Sequence, residues 1–215
     1  MKPYSAYLFD LDGTLLDSTD LIVETFRHSL KAVANLEVDA ELVRRHIGIP
    51  LKDQYPIYLQ GRPMALPMEE TLQLHMDYQL TIWRDYLKLF PEVGETLAAL
   101  KAKGAKLAVV TSRRIASAEL YTRGVGIWPY FDFFITPEST PKHKPDPGPA
   151  LEALRRLGVP AERALFIGDA TFDMQCGAGA GCDTCYVSWG HVPPHEVTPK
   201  PTWVLSRFSE LLVSP

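Results

Sequence analysis

Two aspartates separated by one residue, Asp10 and Asp12, directly follow an apolar, aromatic run that ends at Phe9. Side chains alternate along an extended segment, so both carboxylates share one side if the segment stays extended. Two acids at the end of a buried strand are costly unless a cation or a proton separates their charges. The pair therefore predicts either a hard metal ion, most naturally Mg²⁺, or paired acid and base catalysis.

Gly13 and Thr14 complete the pattern D-x-D-G-T. Gly13 lets the chain bend or approach a ligand closely, and Thr14 adds a hydroxyl group, so both are candidates to contact a substrate. A polar turn after a strand would also use Asp-Gly. Four fixed residues should arise by chance in roughly one chain in a thousand of this length, which favours a functional site.

Other polar residues follow later apolar runs or lie in a loop between them. They are Thr111, Ser112, Lys142, Lys144, Asp169 and Asp173. Acids bind Mg²⁺, whereas hydroxyl groups, backbone N–H groups and a lysine bind a phosphoryl group. If these residues converge, the set predicts phosphoryl-transfer chemistry.

The elements between these residues explain how they would converge. The sequence predicts apolar strands at 5–9, 105–110, 131–135, 164–167 and 184–187. Helical segments separate them, which is typical of an α/β fold with a doubly wound, parallel, Rossmann-like sheet. Ligands of such sheets bind outside the carboxyl ends of the strands, where the polar residues stand.

Residues 17–88 show helical periodicity and no convincing strand. We interpret them as an all-helical insertion that forms a separate small domain. The predicted domains are therefore an α/β core of residues 1–16 and 89–215 and a helical domain of residues 17–88.

The bulk composition restricts the class of protein. The chain has 215 residues, a net charge of −4 and a sequence pI near 5.9, which gives no support for nucleic-acid binding through a basic surface. No apolar window is long enough for a transmembrane helix, and the first residues lack the hydrophobic region of a signal peptide. The cysteines, Cys176, Cys182 and Cys185, fit no zinc pattern. We expect reduced thiols in a cytoplasmic protein that does not bind a membrane.

The motifs together resemble the haloacid dehalogenase (HAD) superfamily of phosphohydrolases. The resemblance rests on D-L-D-G-T at 10–14, Thr111 after an apolar strand, Lys144 in K-P-D-P, and G-D-A-T-F-D at 168–173. It covers essentially the whole chain, and the helical insertion is similar to the family's type-1 cap. The stretches VVTSRR, HKPDPGPAL and ALFIGDAT resemble most the branch with phosphoglycolate phosphatases and a bacterial inorganic pyrophosphatase.

The resemblance implies roles for the four acids. Asp10 would be the nucleophile that forms an aspartyl-phosphate, and Asp12 would protonate the leaving group and then take a proton from water. The carboxylates of Asp10 and Asp169, with the backbone carbonyl of Asp12, would bind Mg²⁺. Asp173 would act on the metal through water or by orienting Lys144.

The resemblance also implies roles for Thr111 and Lys144. Thr111 would hydrogen-bond the phosphoryl group, and Lys144 would neutralise charge on Asp10 and on the phosphoryl oxygens. Thr111 and Ser112 also fit ordinary helix caps. Lys142 is an alternative to Lys144 for the role of the charge-neutralising lysine, although the motif K-P-D-P favours Lys144. Asp169 also fits a Gly-Asp turn, and Asp173 fits a cap of the following helix.

The presence of Asp12 decides between reaction classes of the family. Resemblance implies that its dehalogenase and phosphonate-cleaving branches lack this acid, so hydrolysis of a phosphoester or phosphoanhydride is preferred. A mutase of the β-phosphoglucomutase type keeps it and remains an alternative. A receiver-like or catalytically silent phosphate-binding module is the alternative from another class; receivers lack the D-x-D-G-T order and the long helical insertion.

We expect the cap to close over the core and to set substrate choice. The candidates to bind a second anionic group of the substrate are cationic: Arg44, Arg45, Lys52, Arg113 and Arg114. Ser112 is a further candidate to contact the substrate. These residues favour a small, doubly anionic substrate such as phosphoglycolate or pyrophosphate. The sequence leaves open whether the protein is a monomer or a homodimer.

Overall fold

A parallel β-sheet carries the polar residues discussed above, and the computed structural model describes residues 3–190 and 192–212. Within these ranges the strands are β1 (Ala6–Phe9), β2 (Leu16–Asp17), β3 (Lys88–Leu89), β4 (Lys106–Val110), β5 (Phe133–Ile135), β6 (Ala164–Gly168), β7 (Asp183–Val187) and β8 (Trp203–Leu205). Six of them form one sheet in the order β5-β4-β1-β6-β7-β8, and every neighbouring pair is parallel. The prediction of a doubly wound parallel sheet is confirmed.

The inner strands are apolar because helices cover both faces of the sheet. The sequences AYLF of β1 and ALFIG of β6 are buried throughout. On one face Leu8, Ala108 and Phe166 belong to a cluster with residues of the helix Gly148–Leu157. On the other face the ring of Phe9 packs near that of Phe208. This burial holds the strand ends, and the residues after them, in fixed positions.

The helices of the described residues are α1 (Thr19–Ala34), α2 (Ala40–Arg44), α3 (Leu51–Leu59), α4 (Met68–Tyr86), α5 (Val93–Ala102), α6 (Ile115–Gly124), α7 (Gly148–Leu157) and α8 (Thr171–Gly179). The chain divides into two compact units. The first consists of Met1–Leu16 and Leu89–Pro215, and the second of Asp17–Lys88. The first unit therefore contains the six-stranded sheet with α5 to α8, and the second contains α1 to α4.

The second unit is a helical body with its own core. Aromatic side chains fill it: Phe26 of α1 packs against Tyr55 and Tyr58 of α3. A buried polar cluster lies beside them, in which the hydroxyl of Tyr55 donates to Ser29 at 2.7 Å and lies 3.0 Å from Nδ1 of His75. Because these polar groups find partners within the unit, they can be buried without a large cost.

One difference from expectation lies at the borders of the helical segment. We expected no strand in residues 17–88, but Asp17 and Lys88 belong to β2 and β3, which pair in a two-stranded sheet. Two-residue strands carry no periodic signal in a sequence, so only the structure reveals them. Among the residues that the structure describes, no helix is both long and apolar enough to cross a membrane.

Candidate active site

Three neighbouring strands end in residues that the sequence singled out. Asp10, Thr111 and Asp169 are the first residues after β1, β4 and β6. Backbone hydrogen bonds hold two of them in the sheet pattern: the N–H of Asp10 donates to the carbonyl of Ile167 at 2.9 Å, and that of Thr111 donates to Ile135 at 3.0 Å. Since β1 lies between β4 and β6 and all three are parallel, their side chains emerge at one edge.

Lys144 joins this edge from the loop before α7. Its ammonium group donates to Oδ1 of Asp10 at 2.5 Å and to Oδ1 of Asp173 at 2.6 Å, and its side chain is buried. Burial works against the charged form of Lys144, but the two carboxylates outweigh it, so its pKa is raised. Lys142, the alternative in the sequence, has an exposed side chain that pairs with Asp146 at 3.0 Å.

Three buried carboxylates form a group that fits a metal ion. In the described part of the chain, Asp10, Asp169 and Asp173 each offer an oxygen atom, and these atoms lie within 4.8 Å of one another. The pKa of Asp10 is raised to about 7, because the effect of burial exceeds the opposing effect of the positive charge on Lys144. Burial and then the charges of Asp10 and Asp173 raise the pKa of Asp169. A divalent cation would relieve this repulsion, and an all-oxygen donor set suits Mg²⁺ or another hard cation.

Asp173 is held by two contacts. Its Oδ1 accepts from Lys144, and its Oδ2 accepts the N–H of Ala170 at 3.0 Å, so the acid also fixes the start of α8. Because Gly168 has no side chain, α8 can approach the end of β6 this closely. A Cβ on Gly168 would lie 2.3 Å from the Cβ of Asp173 and would clash with it. The sequence includes Gly168 in the motif G-D-A-T-F-D but assigned it no role, although its place directly before Asp169 was a usable signal.

Gly13 and Thr14 both contact Asp169. Gly13 has a φ of +82°, and a Cβ on it would lie 2.2 Å from Oδ2 of Asp169. The hydroxyl of Thr14 donates to Oδ1 of the same carboxylate at 2.9 Å. The close approach expected of Gly13 is therefore made to an acid of the protein. That these two residues also contact the substrate stays a prediction.

Asp12 faces Arg113. The guanidinium donates from Nε to Oδ2 and from Nη2 to Oδ1, each at 2.7 Å, which is a bidentate ion pair. The guanidinium carbon also lies 4.7 Å from the centre of the Tyr121 ring, and the N–H of Arg113 donates to Oγ1 of Thr111 at 3.1 Å. The sequence identified both Asp12 and Arg113 but gave no indication that they pair, and it did not identify Tyr121.

The cationic candidates of residues 17–88 belong to the second unit. Arg45 is exposed and its Nε lies 3.4 Å from Glu41, whereas Lys52 is an exposed residue of α3. Arg44 lies 3.5 Å from Asp20. Their role toward a substrate stays a prediction.

The remaining two candidates lie in the first unit. Ser112 is half-buried between Thr111 and Arg113. Arg114 is exposed, and its Nε lies 3.2 Å from Glu138. Arg113 therefore differs from the other cationic candidates, because its side chain is only 10% exposed and its partner is Asp12 of the D-x-D pair.

Comparison with known proteins agrees with this arrangement. Residues 7–187 match the model of a family described as haloacid dehalogenase-like hydrolase. Over 188 residues the chain is 40% identical to a protein of Clostridium perfringens, provisionally named pyrophosphatase PpaX, with 87% of this chain and 86% of the relative covered. It is 33% identical over 205 residues to a phosphoglycolate phosphatase of Aquifex aeolicus, with 95% of this chain and 93% of the relative covered.

Among solved structures, a haloacid dehalogenase-like hydrolase of Bacteroides fragilis, also provisionally named, is similar to this chain. The TM-score is 0.87 at 30% identity, and the similarity covers 97% of this chain and 99% of the other. The fold, the matched family and the relatives agree. The chain belongs to the haloacid dehalogenase-like hydrolase family, and the predictions of this family and of an enzyme of the hydrolase class are confirmed.

Proposed function

We propose that this chain is a Mg²⁺-dependent phosphatase that hydrolyses a small phosphorylated metabolite or pyrophosphate through an aspartyl-phosphate on Asp10. The observation that carries the proposal is the buried ammonium of Lys144, 2.5 Å from Asp10 and 2.6 Å from Asp173. An ionised carboxylate attacks an anionic phosphoryl group only when positive charge screens their repulsion. Lys144 supplies such charge at the nucleophile itself.

In the first half-reaction a carboxylate oxygen of Asp10 attacks phosphorus. The new bond joins Oδ of Asp10 to phosphorus, and the bond from phosphorus to the leaving oxygen breaks. Asp12 gives its proton to that oxygen, so the leaving group departs as a neutral hydroxyl group or a protonated phosphate. Thr111 would donate a hydrogen bond to the phosphoryl oxygens during the transfer.

In the second half-reaction water removes the phosphoryl group. Asp12, now ionised, takes a proton from the water whose oxygen attacks phosphorus, and the bond to Oδ of Asp10 breaks. Inorganic phosphate leaves and the carboxylate of Asp10 is regenerated. One pair of acids therefore serves both halves, with Asp10 as nucleophile and Asp12 as acid and then base.

The metal would be bound by the carboxylates of Asp10 and Asp169 and by the backbone carbonyl of Asp12. When bound, Mg²⁺ supplies positive charge that stabilises the phosphoryl oxygens in the transition state. Asp173 would act on the metal through a water molecule or by orienting Lys144. Thr14 fixes the orientation of Asp169, which is how hydrogen-bond partners of ligands commonly tune a metal site.

The names of two relatives support the proposed substrate class. These names, phosphoglycolate phosphatase and pyrophosphatase PpaX, describe small substrates in which a second anion lies close to the phosphoryl group. The helical unit would act as the cap, with Arg45 and Lys52 as candidates for that second anion. If Arg45→Ala and Lys52→Ala each left kcat/KM unchanged on such substrates, their role would be refuted. The three free, buried cysteines support a cytoplasmic location.

Phosphate release from a panel of small phosphoesters and pyrophosphate, with Mg²⁺ and with EDTA, tests the proposal. We expect release that needs the metal and is lost in Asp10→Asn. Asp77→Asn is the matched control, because Asp77 is an exposed acid of α4 that accepts from Gln73. Wild-type turnover in Asp10→Asn would exclude the covalent mechanism. A folded wild type that releases no phosphate would favour a sugar-phosphate mutase or a silent phosphate-binding module.

A further inference from the structure

The pair of Asp12 and Arg113 conflicts with the work proposed for Asp12. Both carboxylate oxygens of Asp12 accept a hydrogen bond from the guanidinium, each at 2.7 Å. In this bidentate arrangement both oxygens accept from the arginine, and a carboxyl proton placed at either contact would displace an N–H donor. At least one of these contacts has to open before Asp12 delivers its proton.

Arg113 is the better anchored partner of the two. Its guanidinium lies over the ring of Tyr121, a fully buried residue, at 4.7 Å, and its own N–H is bonded to the hydroxyl of Thr111. A guanidinium stacked on an aromatic face is stabilised there by the ring quadrupole. When the pair opens, the carboxylate of Asp12 therefore moves away while the guanidinium stays in place.

A largely buried arginine that loses its paired carboxylate is stabilised by another anion in its place. The side chain of Arg113 is only 10% exposed, and removing one partner of a buried ion pair is strongly unfavourable. A substrate whose leaving group carries a carboxylate or a phosphate supplies the replacement. A substrate with a neutral leaving group supplies none, so the guanidinium would remain on Asp12.

We propose that Arg113 is a specificity-determining residue that exchanges the carboxylate of Asp12 for an anionic group on the leaving part of the substrate. The inference rests on the proposed phosphatase function and narrows its substrates to those with such a group close to the leaving oxygen. The exchange frees Asp12 to protonate that oxygen as its bond to phosphorus breaks. Binding of the correct substrate thus releases the acid that the reaction needs.

Two substrates that differ in one group provide the test. Phosphoglycolate carries a carboxylate where 2-hydroxyethyl phosphate carries a neutral hydroxymethyl group. We expect the wild type to prefer phosphoglycolate by about 100-fold or more in kcat/KM, because a site built to bind an anion rejects an analogue that lacks it. In Arg113→Gln the preference should fall to less than about 5-fold, through loss on phosphoglycolate, and Arg113→Lys should restore part of it.

The matched control is Arg123→Gln. Arg123 has the same kinds of contact as Arg113, an ion pair with Glu119 at 2.7 Å and a guanidinium 4.5 Å from the ring centre of Trp128, but it lies on α6 and is exposed. This variant should keep the wild-type preference. Equal losses on both substrates in Arg113→Gln would reveal a merely structural residue and overturn the inference, as would a wild type without preference.

A binding measurement separates this inference from the phosphatase proposal. Affinities for both compounds are measured by calorimetry in Asp10→Asn, with and without Arg113→Gln, where no turnover is needed. A selective loss of phosphoglycolate affinity on removing Arg113 supports the exchange even if no substrate is hydrolysed. An unchanged ratio of the two affinities overturns it, even in an enzyme that releases phosphate as proposed. If Arg113→Gln does not fold, Arg113→Lys serves in both assays, with a partial loss expected.

Discussion

The main chain of Gly13 lies so close to the carboxylate of Asp169 that a Cβ on Gly13 would be 2.2 Å from Oδ2. The two residues are far apart in sequence, and the contact joins the loop after β1 to the end of β6. The turn that contains Gly13 thus sets the position of an acid that we propose as a metal ligand. Gly13 also has a φ of +82°, a backbone conformation that residues with a Cβ adopt only at a cost in free energy.

We therefore expect Gly13→Ala to reduce kcat/KM by about 100-fold or more, because a displaced carboxylate misplaces the proposed metal. Phosphate release and urea unfolding measure the effect. Gly104→Ala is the control: Gly104 has a φ of +79° but open space around it, so the variant should lose about 1 kcal/mol of stability from the backbone alone and keep its activity. Equal kinetics in the two variants would refute the proposed importance of the Gly13–Asp169 contact.

Lys144→Met should destabilise the protein as well as inactivate it. The substitution leaves Asp10 and Asp173 buried without their shared cation, and breaking such a pair costs about 3–5 kcal/mol. Urea unfolding measures the loss. Lys142→Met removes an exposed lysine two residues away and should change stability by less than about 0.5 kcal/mol. Similar unfolding curves for the two variants would contradict the prediction.

The sequence predicted the strands and the polar residues after them because both signals are local. An apolar run that ends in Asp10 or in Asp169 is visible without knowledge of the fold, and a parallel sheet brings such ends to one edge. Lys144 was preferred over Lys142 only by its K-P-D-P motif. The structure gives the physical reason for preferring Lys144: its side chain is buried against Asp10, whereas that of Lys142 is exposed.

The contacts that join distant loops were not predictable in the same way. The pairing of Asp12 with Arg113 depends on how two loops approach each other, and no periodicity encodes that distance. The sequence also left open which group Thr14 contacts, because a hydroxyl in the turn after a strand can donate to a substrate or to a neighbouring acid. In the structure this hydroxyl donates to Asp169.

The three thiols should resist modification in the native protein. Cys176, Cys182 and Cys185 are free and buried, and burial raises the pKa of each; for Cys176 and Cys182 it reaches about 12. Because the thiolate is the reactive form, an aromatic disulfide reagent at pH 8 should react at least about 1,000-fold more slowly with the native than with the urea-unfolded protein. Comparable rates in the two states would show that these thiols are accessible.

Thr14→Val should weaken metal binding while the fold is kept. Valine has nearly the shape of threonine but lacks the hydroxyl that donates to Asp169 at 2.9 Å, so the carboxylate loses the contact that orients it. Loss of such a partner typically costs 10–100-fold in metal affinity, and we expect the Mg²⁺ concentration for half-maximal activity to rise by about that factor. A titration of phosphate release with Mg²⁺ measures the shift.

Two further variants test whether the loss of the Thr14 hydroxyl is what raises the Mg²⁺ requirement. Thr14→Ser keeps the hydroxyl and should stay close to the wild-type Mg²⁺ requirement. Thr122→Val also removes a buried threonine hydroxyl, one that donates to the carbonyl of Ala118 within α6, and it should leave the requirement unchanged. A rise in Thr14→Ser equal to that in Thr14→Val would assign the effect to packing at residue 14, because the hydroxyl would then have been retained without benefit.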